Sequence, residues 1–236
     1  MIKFKPKISE LEKFRENLKK SLKTEDRNVF KILSWRDKLK KKTKIKTKLI
    51  NLNECEKWNL DENSNLYHNS GQFFKVQGVK TTGSLNREVA SWTQPILTQK
   101  HGGVLAFITR ITKDKKVEFL INARTEPGDD SDIKLCPSFQ ATQSNMNKAH
   151  GGNLPKFYEI VMKLKNSKLI YSASHNEEGA RFWKKTNLNV IVQLNDPTDK
   201  RIKGENYKWV TYTQIKKLSL KNNIINPFVK TILFLI

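Results

Sequence analysis

Cysteine is nearly missing from this chain of 236 residues: Cys55 and Cys136 stand far apart. They form no C-x-x-C pair and no zinc-ligand set, which argues against a disulfide scaffold or a zinc module and implies free thiols in a reducing compartment. Long apolar runs are missing too. The opening M-I-K-F-K-P-K-I-S-E lacks the apolar stretch of a secretory leader. The closing F-V-K-T-I-L-F-L-I is too short to span a bilayer. There is no internal repeat and no low-complexity tail. These absences lead to the expectation of a cytoplasmic protein without membrane partners. Acidic residues are scarce, 23 against 45 Lys and Arg, which leaves a net charge of +22.

Such an excess fits a nucleic-acid binder, and the lysine-rich stretch 38–48 is the obvious patch. Lysine far outnumbers arginine, however, and arginine is the better base reader. The stretch also falls where a helical pattern changes to an alternating one, not on a flexible tail. Solvated lysine faces are therefore the preferred reading, and nucleic acid is not expected as a partner.

Hydrophobic residues make up 37%, enough for a core, and the length fits one large domain or two small ones. Residues 24–42 read as a helix capped by Thr24, with Val29, Ile32, Leu33 and Arg36 at helical spacing. Residues 1–42 are accordingly taken as an N-terminal helical arm and 43–236 as one module. The alternating stretch 43–51 reads as a strand. Further strands are expected at 73–79, 88–92, 104–111, 117–123, 169–172, 190–194 and 207–210, with a hairpin through T-K-D-K-K. Helices are expected at 154–165, 177–185 and 213–220, and from Asn226 as cap through Pro227. Strands first and helices interspersed later make an α+β fold: a mixed sheet flanked by helices.

The stretch 122–152 is the most informative. Arg124, Glu126, Gln140, Ser144, Asn145, Lys148 and His150 offer cation, carboxylate, amide, hydroxyl and imidazole in one window, and Gly128, Gly151 and Gly152 let the backbone approach a ligand. The ordered series W-T-Q-P-I at 92–96, N-A-R-T-E-P-G at 122–128, C-P-S-F-Q-A-T-Q-S-N at 136–145 and H-G-G at 150–152 resembles the nucleotide-sugar 2,3-dehydratases. The likeness extends through H-N-S-G-Q-F-F-K-V-Q-G at 68–78, E-E-G-A-R-F-W-K-K at 177–185 and Y-K-W-V-T-Y-T-Q-I at 207–215. It implies a Nudix-like fold, a dTDP-4-keto-6-deoxyglucose substrate and no cofactor or metal. Members usually carry two such modules in tandem. A chain with room for one is expected to form a homodimer whose two-fold replaces the internal pseudo-symmetry. The positive field would then steer an anionic nucleotide-sugar.

The implied reaction removes water across C2–C3. The C4 ketone acidifies the C3 proton, an enolate forms, the C2 hydroxyl leaves, and the enol tautomerises to a 3,4-diketo sugar. A base near C3, an electrophile near the C4 oxygen and an acid near the C2 oxygen are needed. His150 is the first candidate, since its ordinary pKa suits transfer in either direction. Glu126, at a strand end before a turn, is the second, and could equally be half of an ion pair with Arg124. Glu177, which the likeness puts at the pocket, is the third; a carboxylate in a helix first turn would leave the same trace. Arg124, Lys148 and Lys184 are candidate diphosphate ligands. Trp92 or Trp183 could stack a nucleobase. Gln94, Gln140, Ser144 and Asn145 could bond sugar and phosphate oxygens. The remaining histidines, His68, His101 and His175, read as turn residues or carry no assigned role.

The chain departs from the resembled pattern at Met146, where tyrosine is expected, near Arg181, where tryptophan is expected, and at Asp129, where asparagine is usual. A Nudix-type diphosphohydrolase would need a glutamate-dense metal helix, G-x5-E-x7-R-E-x2-E-E-x-G, which is not in this sequence. A non-catalytic nucleotide-binding module is the other alternative.

Overall fold

The computed structural model describes residues 5–83, 85–129, 132–149 and 151–233, with the Ile232 side chain left aside. Two helices open the chain, α1 (Ile8–Ser21) and α2 (Phe30–Lys42). A small meander follows: β1 (Trp58–Leu60), β2 (Leu66–His68), β3 (Lys75–Thr81) and β4 (Trp92–Thr98), each antiparallel to the next. The larger sheet contains β5 (Gly103–Ile111), β6 (Val117–Arg124), β7 (Lys134–Pro137), β8 (Phe139–Thr142), β9 (Ser167–Asn176), β10 (Thr186–Leu194) and β11 (Tyr207–Thr211). Its main path runs β11-β6-β5-β10-β9. Only the β5–β10 ladder is parallel, so the sheet is mixed, as expected for an α+β fold.

Strand alternation sorts the core into two layers. Phe107, Phe119, Ile121 and Ile191 face one way and meet Phe14 and Leu18 of α1 and Ile32 of α2. Ile215 and Leu218 of α5 (Tyr212–Ser219) join them there. Ala106, Ile108, Leu120, Val190 and Val192 face the other way, against Ile160, Val161 and Met162 of α4 (Tyr158–Met162). Helices thus cover both faces of the sheet, and the residues before 43 pack onto it.

One end of the sheet forks. β5 and β6 pair only from Thr109 to Ile111, and beyond that β7 continues on β6 while β8 continues on β5. Ser138 sits at the divide. Its Oγ accepts from Ile108 N at 2.9 Å and donates to Leu120 O at 2.6 Å, so each strand keeps one backbone group satisfied where the ladder is lost. Gly102 anchors the same end. A Cβ there would lie 1.7 Å from Thr186 O, so only glycine lets the 99–102 turn meet β10.

Several expected elements differ. The second helix starts at Phe30, not Thr24, because Asp26 and Asn28 side chains accept from Asn28 N and Phe30 N, turning the chain before the helix begins. Residues 43–51 belong to neither sheet, with Leu49 and Ile50 exposed. Residues 88–91 bend, and the strand begins at Trp92. The 177–185 stretch is a turn: Leu97 bridges Phe182, and Gln94 Nε2 donates to Ala180 O at 2.8 Å, drawing the segment onto β4. Asn226 does cap as expected, accepting from Phe228 N ahead of a 3-10 turn and α6 (Lys230–Leu233).

Candidate active site

The forked end brings the 122–152 window together. Arg124 ends β6, and Pro127–Asp129 form a 3-10 turn that hangs Glu126 off the strand end. Gln140 lies on β8, and Asn145 on α3 (Gln143–Met146). Arg124, Gln140, Asn145 and Lys148 line one hollow of about 210 Å³. Glu126 Oε1 takes two bonds at its edge, from Arg124 Nε at 3.1 Å and from Gln140 Nε2 at 3.3 Å. Glu126 Oε2 takes part in neither of those bonds. Gln140 Oε1 is buried and finds no donor among the described residues, which leaves an acceptor open to a hydroxyl from the hollow.

A capping box fixes the α3 turn. Thr142 Oγ1 accepts from Asn145 N at 3.3 Å, and Asn145 Oδ1 accepts from Thr142 N at 3.0 Å. Asn145 Oδ1 is spent there, so Nδ2 is the end that can reach a ligand. Lys148 follows with φ +56°, a left-handed backbone that reverses the chain. Ser144 therefore faces a different hollow, with Gln143, Asn147, Lys100 and His101. His150 lies outside the described residues.

Glu177 lies apart from the Arg124 hollow. It lines a second cavity of about 310 Å³ with His175, Asn187, Asn189 and Thr231. Its carboxylate accepts from Asn187 Nδ2 and stands 3.9 Å from Lys185 Nζ, both side chains about 10% exposed. Burial depresses the Lys185 pKa, and the Glu177 charge opposes that shift. Because the segment is not helical, a first-turn dipole role for Glu177 is ruled out. Leu105 also lines this cavity and is the cross-strand partner of Gln140, so the two hollows flank one position of the sheet. Sequence reasoning missed Lys185. Its place beside the K-K dipeptide gave no signal that one lysine is buried.

The four remaining candidates gather at the joint between β4 and the 177–185 turn. Trp92 Nε1 donates to Gln94 Oε1 at 2.9 Å, and Arg87 stacks 5.7 Å from the Trp92 ring. Trp183 is half exposed, with Lys184 Nζ 5.1 Å from its ring. None of the four lines the Arg124 hollow. Both cysteines are free, and burial pushes the Cys136 thiol up to about 12, which makes it inert. Among the described residues no three His, Cys, Asp or Glu side chains cluster to hold a metal ion.

Fold and site together define an α+β protein with a polar, cation-bearing pocket at a forked sheet end, suited to an anionic small molecule. The NDP-hexose 2,3-dehydratase family model matches residues 30–236, and the chain belongs to that family. It is similar to the dTDP-4-dehydro-6-deoxy-alpha-D-glucopyranose 2,3-dehydratase of Amycolatopsis orientalis, at 31% identity over 72% of this chain and 36% of that protein. The Saccharopolyspora spinosa enzyme of the same name is 28% identical over 80% of this chain and 38% of that protein. For the Streptomyces violaceoruber one the values are 26%, 86% and 44%. The chain thus spans less than half the length of these curated relatives. Among solved structures, a C. elegans Ap4A hydrolase overlaps 58% of this chain and 96% of its own at 15% identity and TM-score 0.36. An ADP compounds hydrolase overlaps 69% and 83% at 12% identity and TM-score 0.40. The α+β assignment stands on the sheet topology itself.

Proposed function

We propose that this chain carries the 2,3-dehydration of an NDP-4-keto-6-deoxyhexose, with dTDP-4-keto-6-deoxyglucose as the substrate that its curated relatives' names indicate. One observation carries the reading: Arg124, Gln140, Asn145 and Lys148 share a hollow rimmed by Glu126, in a chain whose family match covers it throughout. Glu126 is the acid–base group, because it is the carboxylate at that rim, with Oε2 turned from its Arg124 and Gln140 bonds. It takes the proton from C3 as the C3–H pair moves into the enolate. Lys148 and the free end of Arg124 are the cations available to the C4 oxygen. Expulsion of the C2 hydroxyl, protonated as it leaves, releases water and an enol that becomes the 3,4-diketo sugar. No cofactor enters this scheme. Incubation with dTDP-4-keto-6-deoxyglucose should convert it to a species lighter by one water in the mass spectrum; recovery of intact substrate would refute the reading.

A second copy of this chain is the proposed partner, taking the place of the other module of the longer relatives. Light scattering is expected to give twice the 27.5 kDa chain mass; a stable single-chain mass would remove that partner. A cytoplasmic setting belongs to the same reading, in keeping with two free thiols. Among the described residues no helix is long and apolar enough to cross a membrane.

A further inference from the structure

The Arg124 hollow, at about 210 Å³, is below the roughly 300–1,000 Å³ of pockets that enclose drug-sized ligands. A sugar ring can enter it, but a whole nucleotide-sugar cannot. Two larger hollows lie against the same 143–149 segment. The first, about 620 Å³, is lined by Gln143, Ser144 and Asn147 together with Phe73, Lys100 and His101. The second, about 820 Å³, is lined by Ala149 together with Trp58, Phe73, Lys57 and His68. Phe73 is common to both, so they are continuous. The reversal at Lys148 aims neighbouring residues into different hollows: Asn147 into the first, Lys148 into the Arg124 hollow and Ala149 into the second.

The chemistry of these walls is one-sided. Lys57 and Lys100 are cationic, the rest of the polar lining is amide, hydroxyl or imidazole, and no carboxylate lines either hollow among the described residues. The aromatic part is built rather than incidental. Trp58 packs on Phe74 at 4.8 Å between centroids, and His68 meets Phe73 edge-on at 4.6 Å. Ser70 N donates to His68 Nδ1 at 3.1 Å, so the neutral ring carries its proton on Nε2 and can donate from there. Cations for phosphate beside aromatic faces for a base are what a nucleoside diphosphate requires.

We infer that the nucleoside diphosphate of the substrate lies across the 143–149 segment, its base against Phe73 and Trp58 and its phosphates toward Lys57 and Lys100, with the sugar reaching the Arg124 hollow. This rests on the dehydratase reading for the sugar but moves the base from Trp92 and Trp183 to the small meander. Calorimetric titration with dTDP and with thymidine tests it. Lys57 has a left-handed backbone that asparagine tolerates, so Lys57→Asn combined with Lys100→Ala leaves the fold intact. That double variant should bind dTDP about tenfold or more weakly, each lost charge-assisted bond being worth roughly 1.5–3 kcal/mol, and thymidine unchanged. Phe73→Leu keeps apolar bulk and should weaken both ligands about tenfold. Wild-type protein that binds dTDP while neither variant changes the affinity overturns the subsite, and the dehydratase reading survives. Variants that weaken dTDP binding in a protein that releases no water from the keto-sugar leave the subsite and sink the reaction. Wild-type protein with no measurable dTDP affinity also overturns the subsite.

Discussion

Replacing Glu126 by glutamine is expected to cut kcat for dehydration by about 10²–10⁴-fold, the range for removing a positioned acid–base group, with KM nearly unchanged. Glutamine keeps the volume, and its carbonyl oxygen can still accept from Arg124 Nε and Gln140 Nε2, the two donors that hold Oε1. The rim of the hollow therefore stays in place, and what disappears is the ability to carry a proton. A purely structural role would leave a different trace. The ion pair is partly exposed on both sides, so its loss should cost well under 1 kcal/mol and leave the melting temperature nearly unmoved. Turnover within a few-fold of wild type, at an unchanged melting temperature, would take Glu126 out of the chemistry and leave it as the anchor of Arg124.

Much of this site was legible because it is local in sequence. The window from Arg124 to Lys148 is two strands and a capped turn, and folding it back on itself suffices to bring Arg124, Glu126, Gln140, Asn145 and Lys148 together. Ser144 was misjudged only in direction: the capping box and the left-handed Lys148 decide which way each side chain points, and neither can be read from composition. Glu177 and the tryptophans are different. Their positions follow from the Leu97–Phe182 bridge and the Gln94–Ala180 bond, contacts between segments some eighty residues apart. The aromatic lining at Trp58 and Phe73 escaped notice for the same reason, since nothing near those residues in sequence announces the 143–149 segment.

The strands with continuous apolar faces, β5, β6, β9 and β10, were found from pattern alone, because burial on both faces leaves a strong trace. β7 and β8 were missed. Each is four residues long, and Ser138 between them looks like a loop residue until its two bonds at the fork are seen. The stretch 43–51 shows the converse error. K-I-K-T-K-L-I-N-L alternates as a half-buried strand should, but alternation specifies a strand only where a sheet edge receives it.

Phe14→Ala is expected to destabilise the fold by about 3–5 kcal/mol, a large share of the roughly 5–15 kcal/mol that holds a domain together. The family match starts at residue 30, yet the core does not. Phe14 is 1% exposed, with its ring edge-on to Phe119 of β6 at 6.3 Å, and Leu18 one turn later is fully buried against the same face. The segment is fastened at three further points. Lys168 of β9 pairs with Glu10 at 2.5 Å, Ser21 Oγ accepts from Val117 N at 3.0 Å, and Glu25 Oε1 accepts from Thr213 N at 2.8 Å. Removing α1 would uncover the face of β6 that α5 does not reach and would leave Val117 N without its acceptor. Urea unfolding followed by tryptophan fluorescence should show the midpoint of Phe14→Ala falling at unchanged slope, with Leu18→Ala behaving alike. A midpoint that does not move in either variant would mean that α1 only rests on the sheet, and that the module folds from residue 30 onward. If it falls as expected, the helix outside the family match is what closes the sheet whose far end carries the Arg124 hollow.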